Sequence, residues 1–311
     1  MRYEAGDFIF ELEPDWAKLP DGWAFRDVAG ITVDANDRVY VLNRSEHTVI
    51  VLERDGTFLG TWADGLFSRA HGARLAPDGS IFCTDDFAHF VAKFNTDGDL
   101  LMVLGEKGKP SDTGYIKAWD LFQGVGSVLH GGPPFNRPTG VAVAPSGDIF
   151  VSDGYGNARV HHFNADGDLL HSWGEPGGDP GQFRLPHDIA IDARGRLLVA
   201  DRENSRIQLF TQEGDLLGIW TNVIRPTGIC LDGDGNVYVS ELAMRVSIFS
   251  GEGELLGRWG NKAADKEAAL FHGPHAIGID SHGDVYVGEV SFTHAGIDKG
   301  ANAIQKFRRV R

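Results

Sequence analysis

Apolar and polar positions alternate in short runs along this chain, and the runs recur as one larger unit. Each unit reads as a short apolar run, a four-residue turn, and a strand of the type VYV or IFV. A loop follows, then a second apolar strand ending in Phe or Leu, an acidic-Gly turn and a last strand ending near Trp. The third copy, Pro138 to Gly174, shows all of these parts. Further copies start near Val28, Ala70, Pro186, Pro226 and Pro274, so the unit occurs six times. Period-two alternation with β-branched and aromatic residues predicts strands. The pairs Asp55-Gly56, Asp97-Gly98 and Asp166-Gly167 mark tight reversals. Four strands per unit at a period of about 40 residues predict an all-β, six-bladed β-propeller.

The sixth copy lacks its last strand, because the chain stops at Arg311 just after the run IQKFRRV. Gly6-Asp7-Phe8-Ile9-Phe10 resembles the Gly-Asp-Leu-Leu stretch that opens the fourth strand elsewhere. The N-terminal strand is therefore expected to complete the last blade and close the ring, which removes open sheet edges. The predicted organisation is a single propeller over 1–311. Blade one spans about 27–67, blade two 68–108, blade three 135–178, blade four 183–221, blade five 224–260, and blade six 271–310 plus 6–13, with an insertion at 109–134.

The formal net charge of −15 argues against a nucleic-acid partner, which needs clustered Lys and Arg. No apolar run has the length of a signal peptide core or of a membrane span, so no membrane partner is expected. The two cysteines, Cys83 and Cys230, fall in apolar strand segments. They read as reduced core thiols of a cytoplasmic protein.

Aligned at the innermost strand, the six copies carry Ala29, His71, Thr139, His187, Thr227 and His275 in one register. Histidine occupies blades two, four and six. Alternate blades of such a ring are expected to lie one third of a turn apart, so three imidazoles can converge on one point. Three histidines with an open position form the ligand set of a catalytic zinc site. Copper, iron or cobalt also accept imidazole. His71, His187 and His275 are thus the predicted metal ligands, for one ion per chain.

Chain direction puts the loops after each second strand on the same side as these histidines. They begin at Asn43-Arg44, Asp85-Asp86, Asp153-Gly154-Tyr155, Asp201-Arg202, Glu241-Leu242 and Glu289-Val290. The 109–134 insertion and the 291–302 stretch are expected on that side too, which marks it as the functional face. Arg44 and Arg202 hold matching positions in blades one and four. They are either salt-bridged to neighbouring acids or a clamp for an anionic substrate group. Tyr155 either caps its blade or acts as an acid or base. Of the adjacent His161 and His162, only one is expected to face inward. His47, His89, His130, His272 and His294 are expected near the upper face without an assigned role.

The stretch VSDGYGNARV…WGEPGGDPGQFRLPHDIAI…VADRENSRIQLF, from Val151 to Phe210, resembles the peptidyl-α-hydroxyglycine α-amidating lyase family, a six-bladed propeller of NHL-type repeats. The motifs that carry the resemblance are Asp-Gly-Tyr, Leu-Pro-His and Ala-Asp-Arg-Glu-Asn, in that order. The resemblance implies zinc on His71, His187 and His275, an active-site tyrosine at Tyr155, and substrate arginines at Arg202 and Arg44. It implies cleavage of a C–N bond in a carbinolamide, giving an amide and glyoxylate. The chain departs from the family at Gly273, where the family has Met, and at Ala276, where it has an Asp that serves a structural calcium. Calcium is therefore doubtful here, unless another acid such as Asp188 replaces the missing one. Gly156 and Leu198 stand where extracellular members have cysteines.

Three functions follow as expectations. The first is a zinc-dependent lyase acting on a small-molecule α-hydroxy-amide that carries a carboxylate. The second is a metal-dependent hydrolase of lactones or esters. The third is a non-catalytic NHL propeller that binds a protein, for which Trp119, Leu121 and Phe122 in the insertion would offer an apolar surface or else a lid over the metal.

Overall fold

The computed structural model describes residues 1–260 and 269–310; 261–268 and Arg311 of the predicted single span lie outside the described residues. The fold is all-β, a six-bladed β-propeller with NHL repeats. It packs as two compact units.

The unit Phe67–Pro226 carries blades two, three and four. Blade two is built from Ala70–Leu75, Ile81–Asp85, Phe90–Phe94 and Leu100–Leu104. Blade three uses Pro138–Val143, Ile149–Asp153, Arg159–Phe163 and Leu169–Trp173. Blade four uses Pro186–Ile191, Leu197–Asp201, Arg206–Phe210 and Leu216–Trp220. Each is an antiparallel meander in chain order. Phe82, Phe135, Val141, Val151 and Phe163 fill the space between blades two and three. Phe150, Phe183, Ile189, Val199 and Phe210 do the same between blades three and four. A helix, Leu121–Gly126, stands inside the insertion, capped by the Asp120 carboxylate accepting the Gln123 N–H at 2.9 Å.

The other unit, Met1–Leu66 with Thr227–Arg311, carries blades one, five and six. Blade six has the order expected from the missing strand: Phe8–Glu13 pairs antiparallel with Ile304–Arg309. The sheet is one strand larger than expected, because Arg2–Ala5 pairs in turn with Phe8–Glu13. The run RYEA alternates polar and apolar but is too short to announce a strand by itself; it is held by the hairpin at Gly6, whose φ is +65°.

All six second strands are buried at every position. Blade three packs on both faces, against blades two and four, and this corrects one expectation. His161 and His162 point to opposite faces, yet both are buried. His161 hydrogen-bonds Ser172 Oγ and faces Asp153, while His162 stacks on Phe150 with ring centroids 4.3 Å apart.

The second strands end in an acid or amide with a repeated duty. Asn43, Asp85, Asp153, Asp201 and Glu289 each accept a backbone N–H from the residue seventeen positions earlier, from Arg26, Ser68, Asn136, Arg184 and His272. These side chains pin the segment that leads into each innermost strand.

Candidate metal centre and its guanidinium cage

The histidine register is a bulge. In blades two, four and six the strand pairing skips from Ala70 to Ala73, from Pro186 to Asp188 and from Pro274 to Ala276. His71, His187 and His275 therefore stand out of the ladder. A bulged residue is turned away from the pleat, which frees its side chain to aim along the strand end. Blade two skips two residues, and the second is Gly72; a Cβ there would sit 2.3 Å from the Thr139 carbonyl oxygen. Only glycine fits that approach.

Second contacts fix the imidazoles. His71 Nδ1 lies 2.9 Å from the Thr139 carbonyl, and His275 Nδ1 lies 2.9 Å from the Ala29 carbonyl. A carbonyl only accepts, so each Nδ1 carries the proton and each Nε2 presents its lone pair. The acceptors are the register residues of the next blade. Thr139 does more: its Oγ1 lies 2.7 Å from the Pro186 carbonyl, beside His187. Thr227 Oγ1 repeats this at 3.0 Å from the Pro274 carbonyl, beside His275. The threonines that alternate with the histidines thus brace the segments carrying them.

In the Phe67–Pro226 unit, four predicted site residues come together. The ligand nitrogens of His71 and His187 lie within 4.8 Å of each other. Tyr155 Oη stands 3.1 Å from His71 Nε2 and 3.1 Å from His187 Nε2. Arg202 Nη1 donates to the same oxygen at 3.2 Å. Both histidines are 1% exposed and Tyr155 is 6% exposed, so solvent does not compensate these groups. One hydroxyl proton can serve only one of two ring nitrogens at a time. Two imidazole nitrogens and a phenol oxygen converging in this way form a donor set suited to a first-row cation.

Arg202 is the second polar feature. Its Nε donates to Glu203 Oε1 at 2.8 Å, and among the described residues its buried Nη2 has no hydrogen-bond partner. Glu203 also binds Arg225, at 3.0 and 3.2 Å. Burial works to raise the Glu203 carboxyl, but Arg202 and Arg225 overcome it and hold it below its ordinary range. Arg225 in turn lies 5.5 Å over the Phe122 ring of the insertion helix.

Two residues of the site escaped the sequence reading. Arg69 and Arg137 pack their guanidinium carbons 5.5 and 4.7 Å from the Tyr155 ring centroid, and Arg202 adds a third at 5.3 Å. Arg69 and Arg137 share the buried Asp86 carboxylate. Burial opposes the charge on Arg69, and Asp86 outweighs it, leaving the guanidinium firmly protonated. The signal was present: Arg69, Arg137 and Arg225 each precede the histidine register by two positions.

Arg44 and His275 belong to the other unit. Arg44 Nη1 lies 3.8 Å from Asp27 Oδ2, and its backbone N–H donates to the Asp27 carbonyl at 2.9 Å. Asp188, the alternative acid for calcium, faces Arg74 Nη2 at 3.3 Å. Cys83 and Cys230 are both buried thiols. No helix among the described residues is long and apolar enough to cross a membrane.

Comparison with known proteins agrees with the repeat. The NHL repeat family matches residues 135–163 and 183–210. NHL repeat-containing protein 3 of Homo sapiens is 31% identical over 233 residues, covering 71% of this chain and 62% of its own length. The probable peptidyl-alpha-hydroxyglycine alpha-amidating lyase of Caenorhabditis elegans is 33% identical over 175 residues, 54% of this chain and 45% of its own. Among solved structures, a streptogramin B lyase superposes with a TM-score of 0.62 at 17% identity, covering 99% of this chain and 100% of its own. The chain therefore combines NHL repeats with homology to amidating-lyase domains.

Proposed function

We propose that this protein is a metal-dependent lyase, and that His71, His187 and His275 hold one zinc ion. The observation that carries the reading is Tyr155 Oη, held at 3.1 Å from the Nε2 atoms of both His71 and His187. The equivalent Nδ1-to-carbonyl contacts of His71 and His275 support giving all three histidines the same duty. The bound ion supplies Lewis acidity toward a substrate hydroxyl.

The substrate is a small α-hydroxy-amide with a carboxylate, and the products are an amide and glyoxylate or a similar aldehyde. Tyr155 Oη takes the hydroxyl proton while its own proton passes to the departing nitrogen. The C–N bond breaks as the C–O bond becomes a carbonyl, so one proton moves from oxygen to nitrogen and the balance closes. Arg202 Nη2 offers its N–H groups to the carboxylate of the leaving aldehyde. Arg44 is the second arginine of that clamp. The reading places the enzyme in the cytoplasm, with a small-molecule substrate and neither nucleic acid nor membrane as partner.

Elemental mass spectrometry of protein purified without added metal tests the site first; about one zinc per chain is expected. Glyoxylate release from N-acyl-α-hydroxyglycines then tests the chemistry. Protein that holds no metal, and takes up none from added first-row ions, defeats the reading. Solvent oxygen appearing in a carboxylic acid product would replace the lyase by a hydrolase.

A further inference from the structure

Blade three carries a second pair of imidazoles that the lyase chemistry does not use. His162 and His171 stand directly opposite each other on its third and fourth strands. Their ring centroids are 4.9 Å apart and their planes cross at 81°. His71 and His187, the metal-centre pair of the same unit, show 4.7 Å and 64°. Two imidazoles that share a tetrahedral ion, each bound at about 2.0–2.1 Å, have ring centres about 5 Å apart. The second pair thus has the spacing of the first.

Both rings are held in place. His162 stacks on Phe150 at 4.3 Å and His171 on Trp173 at 5.5 Å. Their nitrogens are poorly used. Among the described residues, His162 Nδ1, His162 Nε2 and His171 Nε2 are buried without a hydrogen bond. Asp148 Oδ2 lies 3.2 Å from His162 Nε2, without the alignment of a hydrogen bond but near enough to favour a proton on that nitrogen. His162 Nδ1 then keeps the lone pair. His171 bonds the Glu213 backbone. Its Nε2 has no partner, so Nδ1 makes that bond and Nε2 keeps the lone pair. Packing explains a flat ring at each position; it does not explain two imidazoles with unmet nitrogens.

We propose that His162 and His171 form a second metal site, a clip between the outer two strands of blade three that takes a first-row divalent cation such as nickel, copper or zinc. The pair supplies two ligands and water the others, with the Asp148 carboxylate beside His162. Imidazole selects these ions over magnesium and calcium, which prefer oxygen ligands. The tripod is the one group of three or more such ligands among the described residues. The clip is therefore the weaker site and empties on dialysis, which leaves one resident zinc per chain. It stands on blade three alone and does not depend on the lyase reading.

Nickel chloride, titrated calorimetrically into the full-length protein, is the first probe. The parent should bind one equivalent more than His171→Gln, a change at a half-buried position. Asp148→Asn should weaken that equivalent by about tenfold, and His187→Ala should keep it. At about one hundred times its dissociation constant, nickel should raise the parent's unfolding midpoint by about 5–11 °C relative to the shift in His171→Gln. Magnesium should raise neither. Copper(II) held by the clip should show two nitrogen ligands in its electron paramagnetic resonance spectrum. Equal uptake by the parent and His171→Gln, or a His171-dependent copper signal with a single nitrogen, would overturn the proposal. Uptake that His187→Ala removes and His171→Gln keeps would assign the ion to the tripod. Absence of glyoxylate release with the His171-dependent equivalent intact would remove the lyase and leave the clip.

Discussion

Replacing Tyr155 by Phe removes one oxygen and leaves the ring packing in place. That oxygen contacts His71 Nε2, His187 Nε2 and Arg202 Nη1 at 3.1, 3.1 and 3.2 Å. A hydrogen bond to a charged group contributes about 1.5–3 kcal/mol and a neutral one about 1 kcal/mol. The substitution strands a second nitrogen on Arg202, so metal-free protein should lose about 2–4 kcal/mol of stability. At about 2–4 °C per kcal/mol for a chain of this order of size, the midpoint should fall by about 4–16 °C. Bound metal supplies the ring nitrogens with another partner, so the metal-loaded protein should lose less. Activity should behave differently. A positioned acid–base group contributes about 10²–10⁴ in rate, or about 3–5 kcal/mol of barrier. Steady-state glyoxylate release at saturating metal should show the loss in kcat, with KM little changed and the zinc stoichiometry intact. A variant that keeps kcat within about threefold, with its metal in place, would refute proton transfer by Tyr155 and leave it as a brace between the two histidines.

The other predictions probe the supports. His187→Ala should abolish both the zinc found by elemental mass spectrometry and glyoxylate release, since two ligands rarely retain a catalytic ion; full metal content would exclude His187 as a ligand. Thr139→Val removes the hydroxyl that reaches the Pro186 carbonyl while keeping the carbonyl that fixes His71. Zinc affinity measured by chelator competition should weaken by about tenfold, the lower range for outer partners; unchanged affinity would make the hydroxyl irrelevant to the site. Glu203 has a folded pKa below its ordinary 4.5, so its stabilisation is present above that value and drains away as pH falls through the folded one. Glu203→Gln should therefore lower the denaturation midpoint at neutral pH and converge with the parent in acid; a gap that widens below pH 4 would contradict the sign.

How far the sequence alone could go depends on what repeats. The blades were legible because buried second strands write continuous apolar runs and acidic-Gly turns return at fixed intervals. The histidine trio was legible because one register recurs in every copy of the repeat, so histidine there stands out against Ala and Thr. Features that do not repeat were not legible. The strand Arg2–Ala5 has polar residues and no counterpart elsewhere, and the contact between Tyr155 and both rings depends on how a loop folds back. The arginines at 69 and 137 lie between these cases. They share a register with Arg225, two positions before the histidine register, but an arginine there reads in sequence as an ordinary surface ion pair.

These arginines change the electrostatic picture of the site. A chain with a formal charge of −15 invites the expectation of an acidic surface that attracts cations and repels carboxylates. Around Tyr155 the reverse holds, because Arg69, Arg137 and Arg202 face the ring and pair with the carboxylates Asp86 and Glu203. Arg202 Nη1, which donates to the Tyr155 hydroxyl at 3.2 Å, is the N–H group placed to meet an anion there. At short range, and out of bulk water, that local order outweighs the net charge of the whole chain, whose field is screened within about 10 Å at moderate salt. The carboxylate of the proposed substrate is thus compatible with an acidic protein, and its binding should depend little on ionic strength, since Arg202 is buried.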